Sequence, residues 1–231
     1  MVLRLGDLYF NKRNIRASKE FILAESINVP NQKMADKLIT FYGKKYSHKI
    51  NVIEQFYYQP YNKILINKSQ KDTINILHCG NMYKERKIDV FIKTLSKLNN
   101  DIKNKIRLKF IGGHEKLLND KKICEDYNIQ ADFSMAYQIQ SWYFKQALPF
   151  DQIRDEMYHA DILLHIDMLS SNNHFSAYKL IDYLTYNKPI LTLSQINSPN
   201  YLLAQECGFC FGNLENENEL LNTINTILKN P

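Results

Sequence analysis

The chain has 231 residues, 45% hydrophobic and 23% charged, with a formal net charge of +6. This balance supports a buried core and excludes intrinsic disorder as the ground state; the length fits one large domain, or one domain with part of another. The positive charge is spread along the chain without a run of like charges, which argues against a nucleic-acid partner. It leaves a polyanionic small ligand, an acidic membrane surface or a solvated Lys/Asn-rich exterior.

The opening MVLRLGDLYF carries Arg4 and Asp7 inside its short apolar stretch and lacks a small-residue cleavage site, so it does not read as a signal peptide. With no apolar run long enough to span a bilayer, a cytoplasmic location is expected. Arg4, Lys12, Arg13 and Arg16 read as ordinary surface cations, with peripheral contact at the inner face of the cell membrane as the alternative. FILAES (21–26) and KINVIEQF (49–56) read as strands around a helix near 31–43, whose first turn suits Pro30. One such βαβ unit is too small to bury a core alone. The polar stretch 59–72 reads as a connector.

From residue 73 onward the rhythm is regular. INILHCG (74–80) is a buried-strand pattern ending at a glycine, and Ile88, Phe91, Ile92, Leu95 and Leu98 then follow helical spacing. IRLKFIGG (106–113) predicts a second strand and 115–127 a second helix. A strand-like patch at SWYF (141–144) precedes a helix over 150–159 and the strand DILLHI (161–166). FSAYKLIDYL predicts a helix entered near Ser176, followed by the strand PILTLS (189–194), a short helix near 199–206 and a last helix through Leu220, Ile224 and Leu228. Strands alternating with helices predict an α/β, Rossmann-like parallel sheet covered on both faces. The expected division is therefore 1–58, a partial βαβ piece; 59–72, a linker; and 73–231, a nearly whole ligand-binding domain.

In such a sheet, ligands bind at the carboxyl ends of the strands. At the first junction, HCGNMYKERK (78–87), Gly80 ends a strand, and Lys84, Arg86 and Lys87 gather where a helix begins. Cations oppose the dipole at that end unless an anion lies between them. At the second, Ser176 is placed as an N-cap, Lys179 is again a cation at the unfavourable end, and Asp182 follows on the same face. Each junction alone also reads as a solvated surface; together they suggest a diphosphate site.

Other features weigh less. Cys79 and Cys124 read as small buried hydrophobes. Cys207 and Cys210 form a CxxC, but without a second CxxC or a histidine pair it does not make a zinc or redox site. The six histidines are dispersed, and His165 reads as a satisfied core residue. Trp142, Tyr143 and Phe144 read as core more readily than as a base-stacking platform.

The run ADILLHID…FSAYKLIDYLTYNKPILTLS (160–194) resembles the donor-binding signature of GT-B glycosyltransferases, in particular the large retaining group (group 1, family 4-like) that uses nucleotide sugars. There a strand leads through a loop to a helix of the form S-x-K-x-x-E-Y-L and on to a G/N-K-P-I/V strand. ILHCGNMYKERK resembles the first C-domain junction of the same family, and LPFDQIRDEMYHADILLHID (148–167) its short helix before the donor strand.

The resemblance implies metal-independent transfer of a sugar, with retention, from a nucleoside diphosphate sugar (UDP being the commonest base) to a glycan or lipid-linked acceptor, as in cell-surface polysaccharide synthesis. Arg86 and Lys179 would neutralise the diphosphate. Gly80, Asn81, Ser176, Ala177 and Tyr178 would line the donor, with N–H groups of Ser176 and Ala177 facing it. Asp182 would take the place of the family's ribose-binding glutamate, and His174 stands where many members carry an earlier glutamate. Most of the N-terminal, acceptor-side domain is expected to be missing, as is the final crossing helix. An incomplete binding module or a subunit needing an N-terminal partner is therefore the alternative, with a GT-B-fold epimerase a weaker one.

Overall fold

The computed structural model describes residues 2–4, 21–53, 72–83, 85–139, 149–170 and 173–229. They form two compact units, one of Met1–Tyr57 with His174–Tyr178, the other of Tyr58–Asn173 with Lys179–Pro231.

The first unit is a parallel sheet in the order β1 (Val2–Arg4), β2 (Ser26–Val29), β3 (Ile50–Val52), aligned through Leu3, Ile27 and Ile50. Between β2 and β3 lie helix α1 (Gln32–Tyr42) and a 3-10 stretch, Lys44–Lys49. The expected strand FILAES is helical over 21–23, and β2 begins only at Ser26. The reason is spacing: Phe21 and Ala24 are buried while Ile22 and Leu23 are exposed, an i, i+3 pattern that suits a helix end and not a strand. Phe21 and Ala24 join Ile27, Val29, Met34, Ala35 and Leu38 in this unit's core. Pro30 precedes the α1 cap instead of entering the first turn; the cap is Asn31, whose Oδ1 accepts from the Met34 N–H at 2.9 Å. Of the expected strand over 49–56, β3 covers Ile50–Val52, and 54–56 lie outside the described residues.

Lys49 is the unusual member of this unit. It is buried, and its Nζ donates to the carbonyls of Phe21, Ile22 and Ala24 at 2.7, 3.0 and 3.0 Å. Three donors meet three acceptors at a helix end, and the ammonium lies 4.8 Å from the Tyr46 ring centroid.

The second unit holds a parallel sheet in the order β10-β9-β8-β4-β5-β6, with the short β7 also paired to β5. Its strands are β4 (Ile74–Cys79), β5 (Ile106–His114), β6 (Ala131–Asp132), β7 (Ala136–Gln138), β8 (Ile162–Ile166), β9 (Ile190–Ser194) and β10 (Cys210–Asn213). Between them run α2 (Asp89–Ser96), α3 (Asn100–Lys103), α4 (Leu117–Asp126), α5 (Phe150–His159), α6 (Tyr178–Leu184) and α7 (Pro199–Cys207), and α8 (Glu217–Lys229) follows β10. Strand alternation sorts the residues by face. Ile76, Leu108, Phe110, Ile162, Leu164, Ile166, Leu191 and Leu193 share one core with Phe91 and Leu95 of α2, Cys124 of α4 and Leu220 and Ile224 of α8. The alternate residues Leu77, Leu163 and Ile190 are also buried, as are Met157 of α5 and Leu180 and Tyr183 of α6.

Four strands escaped the sequence reading, β1 of the first unit and three of the second. β6 and β7 are only two and three residues long. β10 lies inside the CxxC: Cys207 ends α7, Gly208 turns the chain at φ 71°, and Cys210 starts the strand. The expected strand at 141–144, with Trp142, lies outside the described residues. No helix among the described residues is long and apolar enough to cross a membrane.

Replacing the Lys49 ammonium tests how the first unit is closed. Lys49→Met keeps the aliphatic stem but leaves three carbonyls without their donor, and should cost about 2–3 kcal/mol of stability. Urea denaturation followed by circular dichroism measures it; a change within about 0.5 kcal/mol would show that water serves those carbonyls equally well.

Candidate functional site

The strand order of the second unit reverses between β4 and β8: the chain leaves β4 toward β5 and β6, then returns to place β8 on the other side of β4. Such a switch point opens a crevice at the carboxyl ends of the strands, the usual ligand position in an open α/β sheet. Here the β4–β8 pairing stops at Leu77 and Leu163, and side chains fill the gap beyond. The His78 Nδ1 lies 3.1 Å from the Leu164 carbonyl. The Tyr183 hydroxyl accepts from the Cys79 N–H at 3.1 Å and reaches the same Leu164 carbonyl at 3.3 Å.

Gly80 ends β4 at φ 123°, with its N–H bonded to the Ile111 carbonyl at 2.8 Å. A Cβ there would lie 2.7 Å from the Lys179 Nζ, so backbone geometry and space both call for glycine. The next strand end is as tight: a Cβ on Gly112, at φ 114°, would meet the Gly80 carbonyl oxygen at 2.8 Å. Asn81 ties the two ends together. Its Oδ1 accepts from the Gly113 N–H at 3.1 Å, its Nδ2 donates to the Tyr83 hydroxyl at 3.2 Å, and its carbonyl accepts from Arg86 Nη1 at 3.0 Å. The Arg86 guanidinium is thereby folded back beside the Tyr83 ring, 5.8 Å from its centroid.

The cations expected at a helix start lie ahead of it. Helix α2 begins at Asp89, Lys87 is exposed, and Lys84 lies outside the described residues. Arg86 alone of the three is shown turned toward the strand end.

Lys179 is the second residue of α6, and its side chain runs inward until the ammonium sits over Gly80. Although the residue keeps some exposure, the ammonium is enclosed. Burial, and then the nearby Arg86 charge, push its pKa well below the usual lysine value, while Cys79 and Asp167 act the other way. Its hydrogen-bond partner is the His78 Nε2 at 3.4 Å, a neutral group and not a carboxylate. An enclosed ammonium with a guanidinium charge nearby is costly, and an arriving anion would relieve that cost. Asp182 follows on α6, half-buried, and burial raises its pKa.

Gly80, Asn81, Arg86 and Lys179 are therefore brought together, with Asp182 on the Lys179 helix. Ser176, Ala177 and Tyr178 belong to the first unit. Helix α6 starts at Tyr178, so Ser176 lies in the loop before it instead of at the expected cap, and its hydroxyl accepts from Asn31 Nδ2 at 2.8 Å. The same amide donates to the His174 carbonyl at 3.0 Å, and Lys37 Nζ lies 3.0 Å from the His174 Nδ1. Tyr178 is exposed and Ala177 partly so.

Several buried polar residues at the strand ends were not singled out from the sequence. The Tyr201 N–H donates to the Ser198 hydroxyl at 3.0 Å, Ser198 to Ser194 at 2.6 Å, and Ser194 to the Asp167 carboxylate at 2.6 Å; Asn200 adds a bond to that carboxylate at 2.8 Å. This chain fastens the α7 start to the ends of β8 and β9. His165 is buried as expected, but neither ring nitrogen has a partner, and Thr192, opposite it on β9, is also unsatisfied. The signal was available: a polar residue within each apolar run INILHC, DILLHID and PILTLS marks a position that the sheet buries. No group of three His, Cys, Asp or Glu residues among the described residues is placed to hold a metal ion.

The sequence matches no protein-family model and no curated protein. The fold, in contrast, is that of GT-B glycosyltransferases. WaaG, a glycosyltransferase involved in lipopolysaccharide biosynthesis, superposes with a TM-score of 0.68 at 14% identity, over 99% of this chain and 65% of that one. HepE of Anabaena, in complex with UDP and glucose, gives 0.66 at 13% identity, over 99% of this chain and 62% of its own. A TarM variant of S. aureus, in complex with fondaparinux, α-GlcNAc-glycerol and UDP, gives 0.64 at 12%, over 96% and 42%. The chain thus spans about two thirds or less of the length of these structures.

The close approach of Lys179 to Gly80 has a measurable consequence. Gly80→Ala should cost about 1–3 kcal/mol of stability from the positive φ, with an added penalty from displacing the ammonium. Because that added part belongs to the pair, Gly80→Ala combined with Lys179→Met should be less damaging than the sum of the two. Strict additivity in urea denaturation would show that the lysine tip is not held there.

Proposed function

We propose that this chain is a glycosyltransferase, or the donor-binding part of one, that takes a sugar from a nucleoside diphosphate sugar and transfers it with retention to a glycan or lipid-linked acceptor. The single observation that carries the reading is the enclosed Lys179 ammonium over Gly80, beside Arg86, in the crevice between β4 and β8. An enclosed ammonium with no carboxylate bonded to it, beside a guanidinium, suits an anion, and a diphosphate is the anion that a crevice of this fold can take. HepE and TarM were both solved in complex with UDP, which supports UDP as the nucleotide.

In the proposed reaction the C–O bond between the anomeric carbon and the diphosphate breaks, and negative charge builds on the leaving oxygen as it does so. The acceptor hydroxyl oxygen bonds to that carbon on the same face and gives its proton to the leaving diphosphate. Arg86 and Lys179 stabilise the leaving-group charge in the transition state, in a region already stripped of water, so little reorganisation is needed as it develops. Gly80 and Asn81 shape the floor, and Asp182 accepts from the ribose hydroxyls, its raised pKa notwithstanding, once ionised. No metal ion is required, because the two cations do the work a metal would do. We assign residues 1–58 to the acceptor side, 59–72 to a linker and 73–231 to the donor side.

Two results follow. UDP at about a hundred times its dissociation constant should stabilise the chain by roughly 2.7 kcal/mol, and Lys179→Ala should weaken binding by about tenfold to a hundredfold while leaving the fold intact. An unchanged affinity in that variant contradicts the assignment. The pH dependence has a definite sign. The free site holds Lys179 with a lowered pKa and the diphosphate would raise it, so affinity is full below the free-site pKa. Affinity should then fall as pH rises through that lowered value, earlier than an ordinary lysine would allow. Calorimetric titration across pH measures the midpoint, and loss only above the usual lysine range would place the ammonium outside the site.

A further inference from the structure

We infer that His78, fixed as its Nδ1–H tautomer, is the positioning residue that anchors the Lys179 ammonium through Nε2 without neutralising it. The inference rests on the donor-site reading above and deepens it.

The tautomer follows from the two partners. A backbone carbonyl can only accept, so the Nδ1 facing Leu164 O at 3.1 Å must carry the proton. An ammonium can only donate, so the Nε2 at 3.4 Å from Lys179 Nζ must offer its lone pair. Both ends of the ring therefore specify the same neutral form, and they do so in a residue with no exposed surface. A charged ring would turn an N–H toward the ammonium. The surroundings of His78 reinforce this from every side: burial first, then Lys179 on α6, Arg86 after β4, His165 on β8 and His114 on β5 all disfavour a charged ring.

The chemical logic lies in the choice of a neutral anchor. A carboxylate at this position would hold Lys179 more tightly but would cancel the charge that a diphosphate needs. A neutral acceptor orients one N–H of the ammonium and leaves its charge and two further donors for the ligand. The placement is also economical in space. With the β4–β8 ladder ended at Leu77 and Leu163, the His78 ring takes the hydrogen bond that a continued ladder would have given to Leu164 O. The imidazole thus closes the strand gap on one side and aims the lysine on the other. Gly80, two residues further on, leaves room for the ammonium to arrive.

The test combines nitrogen-15 NMR of the histidine rings in the full chain with UDP titrations of His78→Phe, His78→Gln and Lys179→Met. The wild-type His78 ring should show a protonated Nδ1 and a bare Nε2, and should stay neutral through pH values at which exposed histidines charge. His78→Phe keeps a planar ring but removes the acceptor, and should lower UDP affinity by roughly tenfold. His78→Gln, whose amide can both donate and accept, should bind close to wild type. In the Lys179→Met background, His78→Phe should cause no further loss, which a merely structural histidine would not obey. An Nε2–H tautomer, or a His78→Phe penalty that persists without the lysine, overturns the inference while leaving the donor site standing. The expected tautomer in a chain with no affinity for UDP overturns instead the donor-site reading, and the functional role of His78 with it.

Discussion

A lysine ammonium set over the bare α-carbon of a glycine, where two parallel strands stop pairing, is the contact on which the rest of the site depends. Lys179 reaches Gly80 only because β4 ends at Cys79 with a residue at φ 123°, and because β8 has already parted from β4 after Leu163. The parting is a consequence of topology. Strands to one side of β4 come next in the chain, strands to the other side come later, and the loops leaving the two neighbours turn apart. What distinguishes this crevice is its lining. The group bonded to the Lys179 ammonium is an imidazole and not a carboxylate, and a tyrosine hydroxyl and backbone complete the strand gap.

Such an arrangement is expensive for the folded chain. Burying an ammonium near a guanidinium lowers its pKa and opposes folding. The support around it is correspondingly firm. The Tyr201–Ser198–Ser194–Asp167 chain satisfies one polar group with the next and fixes the neighbouring strand ends. Asn81 does the same between the ends of β4 and β5. The first unit has its own counterpart in Lys49, another buried lysine, but there all three donors are consumed by carbonyls. The contrast between the two lysines separates a cation whose donors are all taken by backbone from one bonded to a single imidazole.

The alternation of strands and helices was plain from residue 73 on, because each buried strand of this parallel sheet reads as a short apolar run and each helix as a one-sided stripe. The elements that escaped were those too short to carry a period, β1, α3, β6 and β7, and the one disguised as a CxxC, β10. FILAES misled for a related reason: it is apolar enough for a strand, and only the burial of Phe21 and Ala24 reveals helical spacing. At the site, Gly80, Arg86 and Lys179 could be read as misplaced cations next to a glycine. The role of His78 could not, since a histidine in an apolar run looks the same whether it fills space or holds a neighbour. Ser176 looked like a helix cap by residue type, yet its hydroxyl meets Asn31, which lies 145 positions away in sequence. Partners that distant leave no local trace.

The most direct measurement is a crystal structure of the chain with UDP bound. The account predicts diphosphate oxygens about 2.7–2.9 Å from Lys179 Nζ and from the Arg86 guanidinium, in the crevice between β4 and β8, with the His78 ring still against Leu164 O. A nucleotide bound elsewhere, or a diphosphate in the crevice that touches neither cation, would contradict it.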